Sequence, residues 1–228
     1  MTRSLNIIQL FVRPRYCVEC GKLLHVFKTP FCLNCLSKIQ ETNFEQLQEN
    51  AMFQRLKPYG VKHAACYMIF EKDGISQKVI HQIKYQGDKR LGQYAGEWMA
   101  NKLIFAPFIN QIDYLVPIPL HKKRFRRRGF NQSELLAESM SRILHIPVEN
   151  EQLQRVVNTK SQISMSHEER EKNTENIFRV TNPEIFSNKH ILLIDDVYTT
   201  GATMTSAIDC ILQRCTNTSI SVYTLAYV

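Results

Sequence analysis

Residues 191–203 read Ile191-Leu192-Leu193-Ile194-Asp195-Asp196-Val197-Tyr198-Thr199-Thr200-Gly201-Ala202-Thr203. Four apolar residues in succession describe a strand buried on both faces, as in a parallel sheet. That strand runs into two adjacent carboxylates and a Thr/Gly-rich turn, and an amphipathic helix follows at about 202–215. In an open α/β sheet, ligands bind beyond the carboxyl ends of the strands, where this turn falls. Free N–H groups at a helix start, with the hydroxyls of Thr199, Thr200 and Thr203, suit a phosphate dianion. Asp195 and Asp196 would repel that phosphate, so they need a different partner, and adjacent acceptors match the two hydroxyls of a ribose. No GxxxxGK[ST] occurs in the chain, so a nucleoside-triphosphatase loop of that type is not expected.

Outward from this stretch the pattern alternates. Strands are expected at 61–70, 113–118 and 219–228, and helices near 75–84, 91–104 and 132–145, the last with Leu135, Leu136, Met140, Ile143 and Leu144 on one face. Apolar strands alternating with amphipathic helices predict an α/β fold, a parallel sheet with helices on both faces. Residues 1–58 differ in composition and end in a Gln/Glu-rich stretch. There Leu36, Ile39, Phe44, Leu47 and Ala51 recur at loosely helical spacing before Pro58-Tyr59-Gly60. The expected division is 1–58, a cysteine-bearing unit with a connecting helix, and 59–228, the α/β domain.

The chain has 228 residues, 44% apolar and 22% charged, which excludes a disordered or fibrous protein. Its apolar runs stop far short of the roughly 20 residues that cross a bilayer. The stretch Ile7 to Val12 is broken by Gln9 and lacks a small-residue cleavage site, so no secretion signal is expected and the expected compartment is the cytoplasm. Net charge is +8, and residues 121–130 (HKKRFRRRGF) hold six cations and no acid, leaving +2 for the remainder. Lys122, Lys123, Arg124, Arg126, Arg127 and Arg128 therefore suggest a local site for a polyanion, with a solvated surface loop as the alternative. Phe125 and Phe130 either stack on bases or pack inward, and Lys84 either reaches a phosphate or favours a helix C-terminus.

Cys17-Val-Glu-Cys20 and Cys32-Leu-Asn-Cys35 are two CxxC pairs separated by eleven residues. Two such turns present four thiolates to one ion, the donor set of a structural zinc site with no open position for catalysis. Redox chemistry or free thiols are the alternatives. Cys66, Cys210 and Cys215 lie in apolar patterns and read as buried small hydrophobes.

The 191–203 pattern resembles the 5-phosphoribosyl-1-pyrophosphate (PRPP) motif of type I phosphoribosyltransferases. Further features look like the ComF family, specifically ComFC-like competence proteins, in order along nearly the whole chain. These are the CxxC pairs, Lys84-Tyr85-Gln-Gly87-Asp88, the stretch from Val116-Pro117-Ile118-Pro119 to Arg128-Gly129-Phe130-Asn131-Gln132, and Gln162 with Arg170 and Asn173. The resemblance implies a type I phosphoribosyltransferase-like sheet behind a four-cysteine zinc finger. It also implies single-stranded DNA handling during natural transformation, beside a ComFA-like ATPase and a DprA-like protein. By the same resemblance Asp195, Asp196, Thr199, Thr200, Gly201, Ala202 and Thr203 bind PRPP with Mg²⁺, and the turn after Pro119 is the pyrophosphate loop. Residues 155–178, with Arg155, Gln162, Arg170 and Asn173, match a hood that closes over substrate, an ordinary polar loop being the alternative.

Three functions are consistent with the sequence. One is a PRPP-binding, DNA-associated competence factor, which the motifs favour. The others are an active phosphoribosyltransferase acting on a nitrogen base, and a scaffold that docks a partner through its zinc finger. Catalytic residues are unassigned.

Overall fold

The structure is a computed structural model and describes residues 15–24, 29–157 and 177–228. The chain divides into two compact units, Met1–Lys38 and Ile39–Val228. In the first, β1 (Arg15–Tyr16) pairs antiparallel with β2 (Leu23–Leu24), and α1 (Leu33–Leu36) follows.

The second unit begins with α2 (Ala51–Leu56) and β3 (His63–Ile69). Next come α3 (Ile75–His81), which continues into a π-helical turn at Gln82–Gln86, α4 (Lys89–Leu103), β4 (Tyr114–Pro117), α5 (Lys122–Arg128) and α6 (Gln132–Leu144). After these lie β5 (Leu153–Arg155), β6 (Phe178–Val180), β7 (His190–Tyr198), α7 (Ala202–Leu212) and β8 (Ser219–Tyr227). Among the described residues the main sheet has four parallel strands in the order β3-β8-β7-β4, and β5 and β6 form a separate antiparallel ladder. The chain thus has the α/β architecture that its apolar strands imply.

Residue alternation along the strands explains the two layers. Ala64, Cys66, Ile191, Leu193, Ile220 and Val222 face a core completed by Met52, Phe53 and Leu56 of α2 and Met204, Ala207 and Ile208 of α7. On the opposite face α6 packs on β4 and β7, and α4 packs on β3 and β8. Ile191 through Ile194 are fully buried, as a strand covered on both sides must be. Cys66, Cys210 and Cys215 are buried, as their apolar surroundings predict. Among the described residues no helix is long and apolar enough to cross a membrane.

The region 39–58 departs from the expected connecting helix. Ile69 N–H donates to Gln40 C=O and Thr42 N–H to Tyr67 C=O, so extended chain covers the free edge of β3. An unpaired strand edge presents backbone groups that require partners, and this requirement overrides a weak helical periodicity. The helix starts only at Ala51, where the buried Asn50 accepts from Phe53 N–H and donates to the carbonyls of Leu47 and Ala64. Because Met52, Phe53 and Leu56 belong to the main core, the compact units divide after Lys38, ahead of the expected boundary at 58.

The α4–α6 crossing depends on small residues. A Cβ at Gly96 would lie 2.6 Å from Ser139 Cβ and 2.7 Å from Leu136 O. Alanine in a helix interior is worth about 1 kcal/mol over glycine, but overpacking costs about 1–3 kcal/mol. Gly96→Ala is therefore expected to lower the urea midpoint, and a variant more stable than wild type would show that the two helices separate freely.

Candidate functional site

The site is built on the end of β7. Asp195 and Asp196 fall within this strand, which continues to Tyr198 rather than stopping at Ile194. Asn131 caps α6 by accepting from Ser133 N–H at 3.2 Å, and its amide donates to Ile118 C=O at 3.1 Å, tying the helix start to the end of β4. Ser133 thereby reaches across, and its hydroxyl donates to Asp195 Oδ1 at 2.8 Å. The N–H of Asp196 donates to the same oxygen at 2.9 Å. Lys84, on the π-helical turn, places Nζ 2.9 Å from Asp196 Oδ1. Burial, followed by the charge of Asp196, pushes the Asp195 carboxyl up to about 7 against the opposing pull of the Ser133 hydroxyl.

Beyond the acids the chain turns at Gly201, whose φ of +83° lies in the left-handed region that glycine tolerates. A side chain there would meet the phenol of Tyr198 beneath the loop, with a Cβ 2.8 Å from the ring carbon Cζ. The loop from Val197 to Met204 surrounds a small cavity of about 40 Å³, and α7 begins at Ala202 directly behind it. Thr199, Thr200, Gly201, Ala202 and Thr203 all line this cavity.

A larger cleft of about 720 Å³ joins these parts: Asp195, Asp196, Thr199 and Thr203 share it with Lys84, Arg124, Arg128 and Arg155. The segment expected as a basic loop is the helix α5. His121 caps it by accepting from Lys123 N–H, and Gly129, at φ +81°, ends it. Helical periodicity then sorts the cations. Arg124 and Arg128 are half-buried and face the cleft, while Lys122, Lys123, Arg126 and Arg127 are exposed and do not line it. Phe130 packs inward, and Phe125 stays 45% exposed. Lys84 reaches a carboxylate of the cleft as well as sitting near the end of its helix.

Arg155 is buried at the end of β5, its guanidinium 5.5 Å from the Phe178 ring centroid, so both ends of the 155–178 segment meet in the β5–β6 ladder. Gln162, Arg170 and Asn173 lie outside the described residues. Ser133, an ordinary first-turn serine, is a cleft residue with no sequence signal of its own, and Tyr85 of the Lys84-Tyr85-Gln-Gly87-Asp88 stretch lines the cleft beside Lys84.

In the first unit the Sγ atoms of Cys17, Cys20, Cys32 and Cys35 lie within 4.8 Å of one another and can hold a metal ion. Cys20 and Cys32 Sγ are 3.7 Å apart, close to the edge of about 3.8 Å for a tetrahedron with metal–sulfur bonds of about 2.3 Å. Burial raises the Cys17 thiol, but N–H groups led by that of Cys20 outweigh it and bring it down to about 6. Burial and the neighbouring thiols push Cys35 up to about 12.

Asp195 makes stability depend on pH. Its folded-state value near 7 exceeds the ordinary carboxylate value, so the folded protein retains a proton that the unfolded chain has released. Stability contributed this way is complete below about pH 4 and lost as pH rises towards about 7. Asp195→Asn is expected to gain stability over wild type progressively across that window in urea titrations. A constant difference would show that Asp195 titrates normally.

Residues 131–228 match the family model described as a phosphoribosyl transferase domain. The chain is 31% identical over 139 residues to the DNA utilization protein YhgH of Escherichia coli (strain K12), covering 60% of each protein. It thus spans about 60% of the length of that curated relative. Competence protein F of Haemophilus influenzae is 27% identical over 92% of this chain and 96% of its own length. Competence protein ComFC of Bacillus subtilis is 42% identical over 49% of this chain and 43% of its own length. A parallel α/β sheet, an acid pair and Thr/Gly loop at the end of an inner strand, and a four-cysteine cluster earlier in the chain accompany this similarity to competence protein F and competence protein ComFC.

Proposed function

We propose that the chain is a competence factor that binds PRPP in the β7 cleft and single-stranded DNA beside it during DNA uptake. The observation that carries this reading is the meeting of two carboxylates, a threonine-rich loop at a helix start and cations that include Lys84, Arg124, Arg128 and Arg155 in one cleft. The acids match the ribose hydroxyls, and the loop behind Thr199 to Thr203 matches the 5-phosphate. Lys84, Arg124 and Arg128 line the same cleft and offer positive charge for the pyrophosphate. Mg²⁺ arriving with PRPP would neutralise part of that anion's charge. Arg155 sits at the base of the 155–178 segment, in keeping with a hood. The relatives named for competence and DNA utilization support the nucleic-acid half of the proposal.

The same reading assigns zinc to the four cysteines as a structural ion, the 3.7 Å sulfur separation and all-thiolate donor set being those zinc favours. Metal holds this unit together in place of a core, since binding energy at such a site is folding energy. The protein purified without chelator is expected to carry about one zinc per chain, and Cys32→Ser is expected to lose it and expose residues 1–38 to proteolysis. Metal analysis showing no zinc in the wild type would remove the assignment.

PRPP with Mg²⁺ is expected to raise the melting temperature, as a ligand selective for the native state must. Replacing both Asp195 and Asp196 by asparagine should abolish that shift by removing the charge facing the ribose. An equal shift in the double variant would mean that PRPP binds elsewhere.

A further inference from the structure

Next to the cleft lies a second space of about 750 Å³, with Lys84, Tyr85 and Gly87 on one side and Arg124, Arg127 and Arg128 on the other. Among the described residues no carboxylate lines it. Lys84, Tyr85, Arg124 and Arg128 also border the cleft and form the partition between the two spaces. On α5 the three arginines stand at i, i+3 and i+4, which places them on one side of the helix. Lys122, Lys123 and Arg126 line neither space. A run of six cations thus separates into an inner set and an outer set.

Tyr85 gives the compartment a second kind of chemistry. It is 65% exposed, with the Arg128 guanidinium 5.8 Å from its ring centroid and the His81 ring 4.9 Å away and tilted by 44°. An exposed aromatic face in a cationic recess suits a ligand that is both planar and anionic. The volume falls in the range of about 300–1,000 Å³ typical of ligand sites.

We propose that this compartment seats one unpaired nucleotide of a single-stranded nucleic acid. Its base stacks on Tyr85, and the flanking phosphates lie on Arg124 and Arg127. A paired base has both faces occupied by its neighbours, so the site selects single strands. This assignment rests on the nucleic-acid reading above. It adds a position and a base contact, and it removes the outer cations Lys122, Lys123 and Arg126 from the contact surface.

The test is fluorescence anisotropy with a thymidine oligonucleotide and an abasic oligonucleotide of equal length, over a range of salt. Tyr85→Ala should weaken thymidine binding at least about fivefold and leave abasic binding unchanged, while Tyr85→Phe retains both. The Arg124→Ala, Arg127→Ala pair should reduce the log–log salt slope by about 1.4, at about 0.7 per phosphate contact. The Lys122→Ala, Lys123→Ala, Arg126→Ala triple should change it by less than one contact. If wild type binds single-stranded DNA but the outer triple loses as much as the inner pair, the compartment is overturned and the nucleic-acid reading stands. The compartment alone is likewise overturned if Tyr85→Ala binds thymidine like wild type, or loses abasic and thymidine binding alike. Absence of any binding by wild type overturns both.

Discussion

Two adjacent carboxylates at the end of a buried strand are an electrostatic difficulty, and the surrounding structure is arranged around it. Asp195 and Asp196 repel each other, and a half-buried setting screens that repulsion poorly. Each is balanced differently. Asp195 takes hydrogen bonds from the Ser133 hydroxyl and the Asp196 N–H, whereas Asp196 takes the Lys84 ammonium. These partners require α6 to begin at the end of β4 and the π-helical turn after α3 to point back at β7. The α4–α6 packing through Gly96 holds α6 against the sheet.

The cationic side of the cleft follows from helix geometry. A flexible basic loop would distribute its charges around any anion that arrived. A helix capped by His121 and Gly129 fixes which side chains face inward. Arg124 and Arg128 are held beside the acids, where burial lowers the Arg128 guanidinium from its usual value while the Asp196 charge opposes that change. Burial, followed by the surrounding Lys and Arg charges, also lowers His121, which favours the neutral ring that accepts at the cap. The helix is therefore a template that distributes positive charge between two neighbouring spaces.

The cysteine unit is governed by a different constraint. Its described part holds only short strands and one helical turn, with Leu24, Phe31, Cys17 and Cys35 as buried apolar residues. So small a core cannot offset the entropy of ordering its chain. Four converging sulfurs supply the missing constraint once an ion binds them.

Features carried by local pattern were legible in the sequence. Ile191 to Ile194 announced a strand covered on both faces, Gly201 and the threonines the turn beyond it, and the CxxC spacing a four-sulfur cluster, because each depends on residues adjacent along the chain. The tertiary structure decided what depends on distant segments meeting. A weak periodicity over 36–51 gave way because the edge of β3 needed backbone partners. The basic run became a helix whose inner and outer cations are defined only by what α5 packs against. Ser133, Lys84 and Tyr85 entered the site because α6 and the π-helical turn converge on the end of β7. No spacing in the chain encodes that convergence, since it arises when a buried charge pair and two helices must satisfy one another in space.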